Sequence, residues 1–363
     1  MKKENEVLTE ELLVLPRRKV RSIARDPEKS AAHMQLVYVS DKLPGIKRVR
    51  NGNGFYYTVE EKRITQKRIL ERIRKLVIPP AWEDVWICKL PEGHLQVTGI
   101  DTRKRKQYKY HPLWASFRNQ TKFYGLYDFG KAVPAMRLQL EKHLALPGLP
   151  LEKVLAAVVS LMERTTIRVG NAAYEKLYGS FGLTTMKDKH VAVNGSSIKF
   201  SFKGKKGIHH SIDIKSKRLA NIVRQCRDIP GKELFQYYDE KGERKPIDSG
   251  MVNEYIKNIC CDNFTAKDFR TWTGSVHAVE AFKELGCCES EAEKKKRIVQ
   301  ALDIVAKRLG NTRTVCKKYY IHPIIEKLYS NGQLEPFFKL NKASEGNQFS
   351  EAENILMRLL ENS

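Results

Sequence analysis

Nowhere among the 363 residues do about 18 apolar side chains run together, which excludes a hydrophobic membrane-spanning helix. Near the start, Glu4, Glu6, Glu10 and Glu11 interrupt any apolar stretch, so no secretory leader is expected. Cysteine is sparse and odd in number: seven, at 88, 226, 260, 261, 287, 288 and 316, with no C-x-x-C pair. That pattern argues against a disulfide framework or a zinc site and fits a reducing interior. With no H-E-x-x-H motif and no obvious acidic metal cluster, neither a metal nor another cofactor is expected. Negative charge is also short. Aspartate and glutamate total 42 against 66 lysines and arginines, a net charge of +24. Such a chain repels itself unless a polyanion lies against it, so nucleic acid is the leading candidate partner. The expected setting is the cytoplasm, at the nucleoid, with no membrane partner.

Hydrophobic residues at 41% exclude a wholly disordered protein, and the length favours two packed domains with loose ends. Residues 1–35 alternate charges and carry Arg17, Arg18, Lys19, Arg21 and Arg25, reading as a basic flexible arm. Residues 36–112 read as mainly strand: LVYVS, GFYYT after Asn51-Gly52-Asn53-Gly54, then VWICKL and HLQVTG around the Pro91-Glu92-Gly93 turn. One helix interrupts them, with Ile69, Leu70, Ile73 and Leu76 on one face and Pro79-Pro80 as its stop.

Residues 113–340 turn helical. Val154, Leu155, Val158, Leu161 and Met162 recur at three- and four-residue steps. VAVNG, IKFSFKG and HHSIDI then predict a short antiparallel sheet with Lys203, Lys205 and Lys206 at a hairpin tip. A further helix starts at Ser290 and Glu293 in capping-box spacing, buries Ile298, Leu302, Val305 and Leu309, and stops at Gly310. Residues 341–363 read as a polar tail and a loosely attached helix around Ile355, Leu356 and Leu359. The fold class expected is α+β, a small mainly-β domain followed by a larger mainly-α one.

Residues 102–111, TRKRKQYKYH, interleave cations with aromatics on a predicted strand. Alternation sets Lys106, Tyr108 and Tyr110 on one face, where cations meet phosphates and aromatics or Gln107 reach groove or sugar edges. A solvated basic strand has no need of two tyrosines, so Arg103, Arg105, Lys106, Gln107, Tyr108 and Tyr110 are candidate DNA contacts. Four other segments stand out: TTIRVGN around Arg168, FSFKGKKG around Lys205, KDFRTWTGS around Arg270, and LGNTRTVCKKYYIHP ending near Tyr320. Singly, each has an ordinary reading as a cap, a solvated lysine or a packed tyrosine.

Together they resemble the type IB DNA topoisomerases, in the compact poxvirus-like branch found in bacteria. The resemblance runs from about residue 45 to 335 through RIRKLVIPPAWEDVWIC, GHLQVTG, KQYKYHPLW, ERTTIRVGN, FGLTTM, FKGK, DFRTW and CKKYYIHP, in one order. It implies a catalytic domain of the topoisomerase IB/tyrosine recombinase type, a C-shaped clamp on double-stranded DNA, and a monomer. It also implies strand relaxation through a 3′-phosphotyrosyl intermediate, without ATP or metal, with the helical domain catalytic. The family's roles fall on Tyr320 as nucleophile, Arg168 and Arg270 as phosphate clamps and Lys205 as general acid. The chemistry suits these types. A phenol with a pKa of about 10 needs nearby guanidinium charge to act as a phenolate. An arginine fork holds two phosphate oxygens, whereas a lysine is a single point charge that can protonate the departing 5′-oxygen.

Asn311 stands nine residues before Tyr320 (320 − 311 = 9), where poxvirus enzymes carry histidine. Its amide can donate to a phosphate oxygen but carries no charge, so no histidine titration is expected there. The strand also departs from the family's usual G-R-D-x-x-G-R-K-Q-Y at Ile100, Thr102 and Lys104, and Arg313 replaces a common proline, which puts details of DNA contact in doubt. Tyrosine recombinases share a similar arginine, lysine, arginine, tyrosine set. They typically place histidine three residues before the second arginine, where this chain has Lys267, and lack VIPPAW and KQYKY. A non-catalytic architectural protein, held to DNA by charge alone, needs no nucleophile and stays distinguishable only by substitution of Tyr320.

Overall fold

The computed structural model describes residues 17–339 and 348–361, apart from 53, 103 and 122. The chain divides into two compact units, Met1–Gly125 and Leu126–Ser363.

The first unit is built on a six-stranded antiparallel sheet in the order β3-β2-β1-β4-β5-β6. Its strands are β1 (Ile46–Asn51), β2 (Gly54–Val59), β3 (Lys62–Arg63), β4 (Glu83–Ile87), β5 (Leu95–Ile100) and β6 (Lys106–Tyr110). The amphipathic helix Lys67–Lys75 contributes Ile73 to a core with Ile46, Val85, Ile87 and Val97. Arg72 leaves the same helix to donate to Gln96 Oε1 at 3.0 Å and Cys88 O at 2.5 Å, tying it to the sheet.

Residues 17–33 differ from the flexible arm expected of them. They form the helices Arg17–Arg25 and Pro27–His33, the second capped by Asp26, whose carboxylate accepts from the Glu28 and Lys29 N–H groups. Val20, Ala31 and Met34 bury themselves with Trp114 and Phe117. Dense charge concealed this in the sequence, because a few apolar side chains suffice when their partners, Trp114 and Phe117, lie far along the chain. Residues 1–16 lie outside the described residues.

The second unit is mainly helical around one large core. The helix Leu151–Thr165 is its axis, with Val154, Ala156, Ala157, Val158, Val159 and Leu161 fully buried. Against it pack Leu126–Leu144, Ser249–Cys260 and Ala266–Leu285. A three-stranded antiparallel sheet, β7 (Val191–Asn194), β8 (Ser197–Lys203) and β9 (His209–Lys215), stands where the pattern predicted it. The end of the chain also departs from expectation. The helix Glu351–Glu361 is no loose appendage: Ile355, Leu356, Leu359 and Leu360 enter the main core. Its Glu353 receives Arg137 Nη2 at 2.7 Å and Trp272 Nε1 at 3.1 Å.

Candidate active site

Three turns of backbone converge in the second unit. Thr166 ends the axial helix in the left-handed region (φ 57°, ψ 13°), releasing the chain so that Arg168 follows on a segment outside helix and strand. The helix Glu291–Leu309 ends at Gly310, also left-handed (φ 58°), which places Asn311 beside Arg168. Arg168 Nη2 donates to Asn311 Oδ1 at 2.6 Å. Because a guanidinium only donates, this bond fixes the amide orientation and leaves Nδ2 as the donor, one of whose hydrogens reaches Leu309 O at 3.5 Å.

Arg270 lies on Ala266–Leu285 and is only 6% exposed. One η nitrogen donates to Leu309 O at 2.9 Å and the other to Thr166 O, so the side chain ties the two helix ends together. Its buried Nε has no hydrogen-bond partner among the described residues. The guanidinium carbon lies 5.1 Å from the centre of the Tyr320 ring. Among the described residues, neither Arg168 nor Arg270 forms an ion pair with a carboxylate. Burial, reinforced by the charge of Arg270, pushes the Arg168 pKa down to about 10, and burial likewise lowers that of Arg270.

Tyr320 caps the short helix Arg313–Tyr319, which Thr312 starts by accepting from the Val315 N–H. Its backbone docks directly on the Arg270 helix. A methyl group added at Gly274 would lie 2.6 Å from Tyr320 O, and Ser275 Oγ donates to that oxygen at 3.3 Å while accepting from the His322 N–H at 3.0 Å. Only glycine permits so close an approach. Lys205 follows β8 in a tight turn closed by Gly204 N–H to Ile208 O at 2.7 Å. It is exposed, with Nζ 5.7 Å from the centre of the Tyr174 ring.

A cleft of about 310 Å³ is lined by Arg168, Tyr174, Lys205, Lys267, Arg270 and Tyr320, among others. Thus four of the predicted catalytic side chains face one space, and Asn311 joins it through Arg168. Tyr174, Lys267 and His210, which sits behind Arg168, did not emerge as site residues from the sequence. Lys267 carried a signal, since three positions before Arg270 on a helix is the same face. A larger cavity of about 570 Å³ near Arg137 is a packing feature, its guanidinium taken up by Glu163 and Glu353.

The second group of predicted contacts lies in the first unit. Along β6, Lys106, Tyr108 and Tyr110 are exposed while Gln107 and Lys109 are half-buried. The Tyr108 and Tyr110 rings stack at 6.1 Å and 7°. Lys106 pairs with Asp41 at 2.5 Å, and Asp101 accepts from both Arg105 and Gln107. Arg103 lies outside the described residues.

Residues 104–334, more than half of the chain, match the model of the eukaryotic DNA topoisomerase I catalytic core, and 54–101 match the N-terminal domain of bacterial DNA topoisomerase IB. DNA topoisomerase 1B of Acanthamoeba polyphaga mimivirus is 31% identical over 304 residues, 80% of this chain and 88% of its own length. The chain belongs to the type IB DNA topoisomerase family. DNA topoisomerase 1B of vaccinia virus (strain Copenhagen) is more distant, 25% identical over 66% of this chain and 73% of its own. As a type IB topoisomerase, the chain relaxes DNA supercoils through transient single-strand cleavage. No helix among the described residues is long and apolar enough to cross a membrane.

Proposed function

We propose that Tyr320 is the nucleophile of this topoisomerase, that Arg168 and Arg270 clamp the scissile phosphate, that Lys205 protonates the leaving 5′-oxygen and that Asn311 donates to a non-bridging oxygen. The observation that supports this reading is the pair of largely buried guanidiniums, without carboxylate partners among the described residues, meeting beside a tyrosine. A buried cation without a counter-ion is costly, and a phosphate diester entering the cleft supplies the missing charge. In cleavage the Tyr320 phenol releases its proton to water as its oxygen bonds to phosphorus, the bond to the 5′-oxygen breaks, and that oxygen takes the Lys205 proton. The 3′-phosphotyrosyl ester stores the energy of the broken bond, so attack by the 5′-hydroxyl reseals the strand with no need of ATP or metal.

A monomer is the proposed working unit, as the family resemblance implies. Arg103, Arg105, Lys106, Gln107, Tyr108 and Tyr110 are the proposed duplex contacts of the first unit, and the site of action is the nucleoid in the cytoplasm. The test is relaxation of negatively and positively supercoiled plasmid in EDTA without ATP, with aliquots quenched in detergent. Wild type relaxes both signs and traps a covalent 3′-linked complex. Tyr320→Phe binds DNA and does neither; equal relaxation by the variant rejects the assignment.

A further inference from the structure

The mechanism above leaves His210 unused, although it stands among the catalytic residues. It lies on β9, five positions after Lys205, and pairs across the sheet with Phe202, the two rings stacked at 5.1 Å and 16°. Its ring edge is wedged between two glycines. A methyl group added at Gly204 would lie 2.6 Å from its Cδ2, and one added at Gly310 would lie 2.3 Å from its Cε1. These glycines immediately precede Lys205 and Asn311. The ring also borders a small void of about 10 Å³ shared with Thr166, Arg168, Phe202 and Leu309. That is about the least space one water requires, so the ring has little slack.

We propose that His210 is a positioning residue: its ring is the spacer that holds the Lys205 turn at a set distance from the Gly310–Asn311 turn. Among the described residues, the backbone bonds at the Lys205 turn are local ones, from Gly204 N–H to Ile208 O at 2.7 Å and Gly207 N–H to Gly204 O at 3.1 Å, beside the β8–β9 pairing and Phe181 N–H to Lys203 O at 2.8 Å. The lysine is exposed and reaches the cleft on a flexible stem, so the place of its backbone decides where Nζ can go. Burial first, then the charges of Arg168, Arg270 and His209, lower the His210 pKa, keeping the ring neutral at neutral pH. A neutral ring fills this space without adding a third cation beside the two arginines.

The proposal rests on Lys205 as general acid, and the test separates the two. Single-turnover cleavage is measured on a duplex with the natural 5′-oxygen leaving group and on one with sulfur at that bridging position. A thiolate, with a thiol pKa of about 8.5, departs without a proton, so loss of the acid no longer matters. His210→Ala is expected to slow cleavage about 10- to 100-fold on the oxygen substrate, as misplacement of a reacting group does, and to return near the wild-type rate on the sulfur substrate. Lys205→Ala shows the same rescue from a deeper loss.

Gly204→Ala, whose backbone is unstrained by a side chain, pushes on the same ring from the other side and reproduces the pattern, carrying the test if His210→Ala folds poorly. In the double variant the added methyl occupies space the ring has left, so the two losses do not add. If Lys205→Ala is rescued by sulfur while His210→Ala and Gly204→Ala stay equally slow on both substrates, the spacer proposal is overturned. If Lys205→Ala itself is not rescued, the general-acid reading falls and takes the proposal with it.

Discussion

Arg270 makes three demands of one side chain: it reaches Thr166 O, reaches Leu309 O and still faces the Tyr320 ring. Lysine has the charge but not the fork, so Arg270→Lys should lower the cleavage rate by about 10²–10³ while noncovalent duplex binding is retained, measured by single-turnover cleavage beside a binding titration. Arg168 carries a stability penalty of its own. Folding lowers its pKa to about 10 from 12.5, so protonated Arg168 is disfavoured in the native state and the penalty is in full force at every pH below about 10. Only above that value does stability recover. Arg168→Gln should therefore raise Tm in buffer free of phosphate and sulfate, and adding either anion should raise the Tm of wild type more than that of the variant. A variant that melts lower would mean that the bond to Asn311 outweighs the repulsion. Asn311 itself predicts a cleavage rate with no histidine limb; Asn311→His should introduce one, with the rate falling as pH rises through the new imidazole's pKa.

At the scale of elements, the helix Ala266–Leu285 does most to assemble the site, carrying Lys267 and Arg270 on one face and seating the Tyr320 backbone at Gly274 and Ser275. Gly274→Ala favours the isolated helix by about 1 kcal/mol, yet its methyl group would strike Tyr320 O. Cleavage should fall in this variant with helical content unchanged by circular dichroism; an unimpaired rate would show that the Arg313–Tyr319 helix can shift without cost. The terminal helix Glu351–Glu361 stabilises the unit from the opposite direction, through Arg137, which pairs with both Glu163 and Glu353. Although burial opposes ionisation of Glu353, hydrogen bonding and charge from Arg137 hold its pKa below the ordinary 4.5. The stabilisation is complete above about 4.5 and is lost as pH falls through the lower native value. Glu353→Ala leaves Arg137 largely buried with Glu163 as its one remaining carboxylate among the described residues and should cost about 3 kcal/mol or more at neutral pH, read by denaturant unfolding, with a shallower acid limb than wild type.

For the whole molecule the dominant quantity is the net charge of +24, which makes binding to duplex DNA fall steeply with salt as phosphate contacts release counterions. The structure qualifies which cations are free to contribute. At the start of β6 and just before it, Lys106 is held by Asp41 and Arg105 by Asp101, so to act as the proposed phosphate contacts each must exchange a carboxylate for a phosphate. Asp41→Asn removes one of these competitors and should tighten duplex binding and steepen the salt slope by up to about 1, as for one added phosphate contact. Affinity and slope measured by titration at several salt concentrations check it, and an unchanged slope would remove Lys106 from the set of phosphate contacts.

Local physics in the sequence by itself determined much of this protein. The two-residue alternation of β6, the three- and four-residue steps of Leu151–Thr165 and the glycine stop at Gly310 depend on near neighbours, and the elements follow them. The residues proposed for the site stood out through a resemblance, since the motifs carrying Arg168, Lys205, Arg270, Asn311 and Tyr320 stand in the order of the type IB family. Only the tertiary structure decided which charges lack counter-ions and what holds each group in place. Arg168 meets Asn311 across 143 positions, and Arg270 meets Thr166 across 104. The packing of Val20 and Ala31 with Trp114, the seat of Tyr320 on Gly274 and the wedge of His210 between Gly204 and Gly310 are likewise contacts between distant segments. No local pattern encodes such contacts: a side chain's partner, its burial and hence the energy of its charge exist only once the whole core has closed.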